Sequence, residues 1–424
     1  MNKKIAKIAL IHYSYPPVAG GVEFVIRSHA KLFAKDRHQV RIITGEGEES
    51  NPNIEVKIIP EIRSLSHSYP NINEELKRGI VSEKFHQLKE VISRRIKETL
   101  KDIDVCIIHN VMTMHFNLAL TSALNEIIND SSSKIKFYIW CHDIALTNSS
   151  YPQLIRNISN YPWNLLGRFN KKAEYITISQ LRKRQLSHLF KVKEDYIKVV
   201  PNGIDIKSFL NLSNPIWKLA QDKKLFDADL VMFFPSRILK RKNYELGIKI
   251  VKEFKKMGKN CKFLTTALPD PHNPEASRYS NYLHQLSRKL KVEEDIIFIQ
   301  DLKEEYALKI DHQEIKNLYS ICDLLLLTSS QEGFGIPLLE AGAMKLPIVC
   351  SNIEPLSEIV DDFALKFDLK DSPSLIAERI LEYITHQPTF LMFKKIVRNY
   401  SWDAIYRDYL KEIIIQPQMN TDYR

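Results

Sequence analysis

The chain has 424 residues and a formal net charge of +10, with 44% hydrophobic and 26% charged residues. That length is too great for one core and suits two domains of about 200 residues each. The balance is ordinary for a soluble globular protein, and no run of about 18 apolar residues is available to cross a membrane.

The chain opens on Met1 to His12, an apolar run interrupted by Lys7 and lacking a cleavage pattern. It reads as a first buried strand, not a signal peptide. Further strands are expected in the first half at Val40–Thr44, Glu55–Ile59, Val105–His109, Ile135–Cys141, Tyr175–Ser179 and Ile197–Val200. Helical patterns lie between them at Val22–Ala34, Glu74–Leu100, Phe116–Ile128 and Gln180–Phe190. The turn Pro201-Asn202-Gly203-Ile204-Asp205 marks a boundary. In the second half, strands fit Leu230–Pro235, Lys262–Thr266, Ile296–Ile299, Leu324–Thr328, Pro347–Cys350 and Ala364–Phe367. Helices fit Tyr244–Met257, Tyr279–Leu290, Glu314–Ser320, Pro337–Met344 and Ser374–Thr385. Strands that alternate with helices argue for parallel, doubly wound sheets. The expectation is an α/β protein with two Rossmann-like domains, residues 1–200 and 201–400. A last amphipathic helix follows at 402–415, with Trp402, Ile405, Tyr406, Tyr409, Leu410 and Ile413 on one stripe. Residues 416–424 read as a frayed end.

The five cysteines form no C-x-x-C pair and lie in or beside apolar runs, as buried thiols of a reducing compartment do. No Cys/His spacing suggests zinc. No nucleic-acid-binding signature appears, and aromatic residues do not interleave with the basic runs. Those runs are Arg94-Arg95, Lys171-Lys172, Arg182-Lys183-Arg184 and Lys240-Arg241-Lys242. They suit solvated helix faces, with Lys240 and Arg241 in solvent, or contacts with diphosphates, phosphorylated acceptors or anionic lipid. A cytoplasmic location is expected, with peripheral contact at the inner membrane face left open.

Chemistry gathers after Asp323-Leu-Leu-Leu-Leu-Thr-Ser-Ser330, a short apolar run that reads as a buried parallel strand. There Glu332-Gly-Phe-Gly335-Ile-Pro337-Leu-Leu-Glu340 makes a strand-to-helix turn, since Pro337 suits the first helical position. Free amides at such a turn accept an anion, and Gly335 permits close approach. Two carboxylates beside it suit the hydroxyls of a sugar and a ribose. A plain turn with two surface glutamates would share the spacing. This segment resembles the E-x7-E motif of retaining glycosyltransferases with the GT-B fold, the large family 4.

Other segments carry the same resemblance. Tyr15-Pro-Pro-Val-Ala-Gly20-Gly21-Val-Glu23 is similar to the family's PP-x-x-GG-x-E loop. Pro201 to Asp205 is similar to its P-N-G-[IV]-D. Ser236-Arg237-Ile-Leu-Lys-Arg-Lys242-Asn243 is similar to [GS]-R-x4-K-[GN], with Asn243 where glycine is more usual. His142-Asp143 follows an apolar strand, where ligand groups sit in open sheets, and the family often has HD there. Ile353 to Val360 resembles P-x-x-E-[IV]-[IV], but the usual glycines around Asp361–Ala364 are missing, and Ala267 replaces a common glycine before the stiff loop to Glu275. Asp102-Ile-Asp104 and Asp227-Ala-Asp229 imitate a metal motif but precede strands, so they read as turns and no metal site is expected.

The resemblance implies two domains facing each other across a cleft, a C-terminal helix that returns to the first, and hexosyl transfer with retention from a nucleoside diphosphate sugar. The acceptor is a saccharide, a lipid-linked molecule or a small hydroxyl compound. The sugar nucleotide is a co-substrate, and no cofactor is implied. Glu332 would bind the donor sugar, Glu340 the ribose, and Arg237 with Lys242 the diphosphate. Gly20, Gly21, Phe334, Gly335 and Ile336 would assist, and His142 would orient the sugar. Asn110, Asp143 and Asn202 join the substrate-binding set, with His109 and Asn110 on the acceptor side. A phosphorylase using inorganic phosphate and a non-catalytic sugar-nucleotide-binding module are the alternatives. An oxidoreductase would need a G-x-G-x-x-G, which is absent. Oligomeric state is not legible.

Overall fold

A computed structural model of the chain describes residues 5–148, 150–151, 158–269 and 275–415. The chain forms two compact units, one running to Gly203 and resuming at Trp402, the other spanning Ile204–Ser401. Among the described residues, no helix is long and apolar enough to cross a membrane.

The first unit is built on seven strands: β1 (Lys7–His12), β2 (Gln39–Thr44), β3 (Ile54–Ile58), β4 (Val105–His109), β5 (Lys136–Cys141), β6 (Ala173–Thr177) and β7 (Ile197–Val199). They pair in parallel in the order β3-β2-β1-β4-β5-β6-β7. Helices cover both faces: α1 (Gly21–Lys35), α2 (Pro70–Lys77), α3 (Glu83–Thr99), α4 (Leu118–Asn129) and α5 (Gln180–Phe190). The two-residue period of the strands divides their side chains between two cores. Ala9, Ile11, Cys106, Ile108 and Ile139 pack on one face. Ile8, Leu10, Ile107, Tyr138 and Trp140 pack on the other. That is why these strands read as unbroken apolar runs rather than alternating ones.

The single helix expected over Glu74–Leu100 is two helices. Gly79 adopts φ 79°. The N–H of Gly79 donates to Leu76 O (2.8 Å) and that of Ile80 to Glu75 O (2.9 Å), which closes α2 with a left-handed cap. Ser82 Oγ then donates to Glu75 Oε2 (2.6 Å), tying the start of α3 to the end of α2.

The second unit has a six-stranded parallel sheet of β8 (Leu230–Phe234), β10 (Cys261–Thr265), β12 (Ile296–Phe298), β13 (Leu324–Leu327), β14 (Ile348–Ser351) and β15 (Leu365–Phe367), in the order β12-β10-β8-β13-β14-β15. Its helices are α6 (Asn214–Asp222), α7 (Tyr244–Lys256), α8 (Ala276–Lys289), α9 (His312–Ile321), α10 (Ile336–Ala343), α11 (Pro373–Thr385) and α12 (Pro388–Asn399). Two short strands missed from the sequence, β9 (Arg237–Ile238) and β11 (Leu268–Pro269), pair at the sheet's carboxyl edge. The loop after β11 runs through 270–274, outside the described residues. Gly247 on α7 is dictated by packing: a Cβ there would lie 2.7 Å from the Phe263 ring.

α12 and α6 were also missed. α12 is anchored by a buried lysine. Lys394 Nζ donates to Asp323 Oδ2 (2.7 Å) and Ala228 O (3.0 Å). Asp323 Oδ2 also accepts the Val231 N–H (2.7 Å). Burial pushes the Asp323 carboxyl up to about 6, against the pull of Lys394. These bonds tie α12 to the amino ends of β8 and β13.

The chain returns to the first unit at Trp402. The plain α-helix expected over 402–415 widens to a π-helical turn at Tyr406–Leu410 between α-helical Trp402–Ile405 and Lys411–Ile415. Ile405, Leu410 and Ile413 are buried against the core of Leu10, Ile107 and Trp140. Tyr138 Oη donates to Ile413 O (2.7 Å). A Cβ on Gly203 would lie 2.6 Å from Trp402 Cε3, so only glycine lets the tail lie there.

Both pseudo-metal motifs lie before strands. Asp102 pairs with Arg41 (2.6 Å) and Lys7 (3.1 Å) before β4. Asp229 precedes β8 and pairs with Arg398 (3.3 Å).

Truncating Lys394 would strand a buried carboxylate. Lys394→Ala should cost about 3–5 kcal/mol in urea unfolding. Tyr138→Phe, which removes one neutral bond, should cost about 0.5–1.5 kcal/mol. Equal losses would contradict this account of α12.

Candidate active site

In each sheet the connections diverge between the first strand and its fourth-in-order neighbour. That is the switch point, where open α/β sheets bind ligands beyond the carboxyl ends of the strands. In the second unit it falls between β8 and β13. The loop after β8, Pro235–Asn243, is pinned by its own backbone: Ser236 O accepts Tyr244 Oη (2.9 Å) and Thr266 Oγ (3.0 Å). Asn243 stands at φ 51°. A glycine or asparagine suits that left-handed position, which explains why asparagine serves here.

The loop after β13 is stitched to the first. Thr328 Oγ donates to Lys242 O (3.0 Å) and Asn243 O (2.9 Å). The Ser330 N–H donates to Arg241 O (2.7 Å). Glu332 lies between them with its side chain only 8% exposed. Lys242 Nζ donates to both carboxylate oxygens, at 2.6 and 2.7 Å. Ser329 Oγ adds a bond of 2.6 Å. Arg241 is exposed, as expected, and from there bonds Gln331 O (3.0 Å) and lies 3.5 Å from Glu332. Lys240 is exposed, and so is Arg237, whose guanidinium has no bond to the described residues.

α10 starts at this point. Gly335 has φ 108°, and a Cβ there would lie 2.7 Å from Leu356 Cδ2, so the turn requires glycine twice over. The N–H groups of Phe334, Gly335 and Ile336 have no partner among the described residues. Phe334 and Ile336 are exposed at 54% and 61%, so this helix start is open. Glu340 lies one turn in, and its Oε2 accepts Tyr319 Oη (2.8 Å). Lys242 and Arg241 meet Glu332, Arg237 stands exposed on the same loop, and the start of the helix favours an anion through its open amides and dipole.

In the first unit the switch point falls between β1 and β4. His12 ends β1, His109 ends β4 and His142 follows β5. Gly20 has an extended backbone (φ −168°), so its freedom is not the reason for it. A Cβ there would meet Glu23 Oε2 at 2.1 Å, because that carboxylate curls back over the start of α1. Gly21 faces open space. Glu23 Oε1 accepts Ser14 Oγ (2.7 Å) and lies 3.7 Å from His12 Nε2. Burial pushes the Glu23 carboxyl up, but nearby His12 and the bonds from Ser14 and its own amide prevail and hold it down to about 2.

His142 is 4% exposed. Burial, with nearby His12, pushes its imidazole down to about 3, against the pull of Glu23. Asn110, at φ 52°, accepts the N–H groups of His142 (3.2 Å) and Asp143 (2.9 Å) on Oδ1. Its side chain is thus committed to holding the His142–Asp143 backbone. His109 is fully buried, so it does not line an acceptor side. Asp143 is exposed and pairs with Arg182 (3.0 Å), so that cation of the α5 cluster is engaged. Asn202 is exposed just before Gly203.

Sequence reasoning gives no role to His12, Ser329 and Tyr319. His12 carries the same signal as His142, a histidine closing an apolar strand; the others needed coordinates. A cavity of about 470 Å³ at the amino ends of β5, β6 and β7 lies at the opposite edge of the sheet, where Glu174 bridges Lys136 (3.0 Å) and Lys198 (3.1 Å). Among the described residues no cluster of His, Cys, Asp and Glu is arranged to hold a metal.

The buried imidazoles give a pH signature. His29 and His142 are both pushed down to about 3 from an ordinary 6.5, chiefly by burial. The unfolded chain therefore takes up protons that the native state refuses between those values. Stability is complete above pH 6.5 and falls as pH drops toward 3, by up to about 1.4 kcal/mol per pH unit per histidine. His29→Phe should flatten the fall between pH 6.5 and 5 in melting curves; an unchanged slope would contradict this reading of His29.

Comparison with known proteins completes the picture. Residues 19–208 match the family described as Glycosyltransferase Family 4, and residues 215–400 match Glycosyl transferases group 1. An uncharacterised glycosyltransferase of Methanocaldococcus jannaschii is 24% identical over 422 residues, covering 95% of this chain and 96% of its own. The mannosylglucosylglycerate synthase of Thermotoga maritima is 24% identical over 383 residues, covering 85% and 84%. A crystal structure of a glycosyltransferase involved in lipopolysaccharide biosynthesis aligns with 97% of this chain and 100% of its own, at 16% identity and a TM-score of 0.37. With both units matched in chain order, the protein belongs to the family 4, group 1 glycosyltransferases of the two-domain GT-B fold.

Proposed function

We propose that this glycosyltransferase moves a hexosyl group from a nucleoside diphosphate sugar to a hydroxyl acceptor with retention of configuration. The observation that carries the reading is Lys242 seated on Glu332 below the open amides of Phe334, Gly335 and Ile336, with Arg237 and Arg241 on the same loop. Such a place suits a diphosphate: the cations and amides take its charge, and the carboxylates of Glu332 and Glu340 take hydroxyl donors.

Within the second unit, Arg237 is the fork for phosphate oxygens, because its exposed guanidinium is bonded to none of the described residues. Lys242 stabilises the leaving phosphate while holding Glu332. Glu332 receives the donor sugar, and Glu340, oriented by Tyr319, receives the ribose. The same cations supply the charge that a metal supplies elsewhere. In the first unit, His142 contacts the substrate as a neutral group, with Asp143, Asn202 and the amides of Gly20 and Gly21 in the substrate-binding set. The acceptor is a saccharide, a lipid-linked molecule or a small hydroxyl compound. The likeness to the mannosylglucosylglycerate synthase of Thermotoga maritima supports hexosyl transfer.

The test is a thermal-shift panel with UDP, GDP, ADP and their glucose and mannose conjugates in chelator. One base should raise stability by about 2.7 kcal/mol at a hundred times its dissociation constant. Arg237→Ala should abolish the rise. Proton NMR of the product should then show the donor's anomeric configuration. No rise with any nucleotide would overturn the donor assignment, and phosphate-dependent cleavage of a disaccharide would favour a phosphorylase.

A further inference from the structure

The carboxyl ends of β1, β4 and β5 bring three histidines into a connected array. His12 Nδ1 lies 2.8 Å from the carbonyl oxygen of His109. A carbonyl only accepts, so His12 carries its proton on Nδ1 in that bond. His109 Nδ1 lies 3.2 Å from His142 Nε2. One of those two nitrogens donates and the other accepts, so each ring's tautomer depends on the other's.

The burial of His109 decides which. Its ring is fully enclosed, stacked on Trp140 with centroids 5.3 Å apart and 5.4 Å from the centroid of His29. Among the described residues its Nε2 has no hydrogen-bond partner, and neither do the two ring nitrogens of His29 or Nε1 of Trp140. In that aromatic enclosure a bare lone pair on Nε2 is tolerated better than an N–H with nothing to accept it. The proton of neutral His109 therefore sits on Nδ1 and is donated to His142 Nε2. His142 Nε2 is then the acceptor, and the proton of neutral His142 is left on Nδ1.

We infer that His109 is a positioning residue that locks His142 in the Nδ1–H tautomer, so that His142 meets the substrate as a hydrogen-bond donor and not as a base. The inference rests on the reading of His142 as the substrate-contacting group of the first unit. It follows from the Nδ1-to-Nε2 contact and the unpartnered Nε2, not from the spacing of the motif. Burial keeps both rings neutral, with the His109 imidazole pushed well below its ordinary range by its enclosure, then by His29, His142 and His12. The Asn110 bonds to the backbone of His142 and Asp143 fix the other end of the unit, so the ring has little freedom to escape the lock. A donor at this place suits a hydroxyl oxygen of a sugar or an oxygen of phosphate, and it removes His142 from the candidates for proton abstraction.

The test reads the tautomer directly. Long-range proton–nitrogen NMR on full-length, 15N-histidine-labelled protein assigns His142 by the signals lost in His142→Gln. The wild type should show the His142 proton on Nδ1. His109→Asn, whose amide nitrogen replaces Nδ1, should keep that pattern. His109→Leu should turn it into a mixture and lower kcat about tenfold while changing donor KM less than twofold, the effect of losing one orienting bond. A proton on Nε2 in the wild type, or an Nδ1–H pattern that persists in His109→Leu, overturns the inference. If His109→Leu does not fold, the wild type and His109→Asn decide, since loss of the pattern in His109→Asn is equally fatal. If His142→Gln keeps full activity while the tautomer pattern stands, it is the reading of His142 in the reaction that falls.

Discussion

The second unit depends on the contact of one ammonium with both oxygens of one carboxylate. Lys242 and Glu332 come from loops that follow neighbouring strands, and their pairing fixes those loops against each other. Thr328, Ser330 and Arg241 add backbone bonds around it. Such a pair is a weak argument for stability, because desolvation offsets much of the attraction. Its effect is geometric. Lys242 is held extended, Glu332 is held in one place by Lys242 and Ser329, and the helix start beside them keeps its amides open. A phosphate entering there meets charges already oriented, so little reorganisation is required when charge develops on it.

The first unit uses the same strand topology with the opposite electrostatics. Its switch point holds His109 and His142, which burial keeps neutral, instead of surplus cations. Burial is the cause: His29, His109 and His142 are each enclosed by strands, by Trp140 or by the returning helix at Trp402. A charged imidazole there would lose its hydration without gaining a close anion, because the ionised Glu23 is engaged by Ser14 and lies nearest His12. One sheet thus presents charge and the other presents directional, uncharged groups.

Elements with strong local patterns were legible from the residues. β4 and β13 are short apolar runs bounded by turns, the pattern of a strand buried on both faces. The break at Gly79 was hidden because the apolar period continues across it; the glycine's φ, not hydropathy, ends α2. β9 and β11 have two residues each and no period to detect. α12 was missed for a different reason. Its anchor is Lys394, and a lysine in a sequence reads as solvent-facing until its partner, Asp323, some seventy positions earlier, is known to be buried. The candidate site divides in the same way. The motif spacing places Glu332, Lys242 and Arg237 at strand ends, but it says nothing of which cation meets which carboxylate.

Two asparagines show how far a motif position identifies a role. Asn110 follows β4 and Asn243 follows the loop of β8, and both adopt left-handed backbone with φ near 50°. Asparagine is the residue besides glycine that takes this conformation readily. At Asn243 the reason is the turn alone, since its side chain makes no cap to α7. At Asn110 the side chain has a second task, because its oxygen receives two consecutive backbone N–H groups and so aims His142 and Asp143. Glycine would satisfy the conformation at either place but would leave those two N–H groups without their acceptor at the first. The two positions look alike in sequence, yet one sets only the path of the chain and the other also sets the direction of a functional side chain.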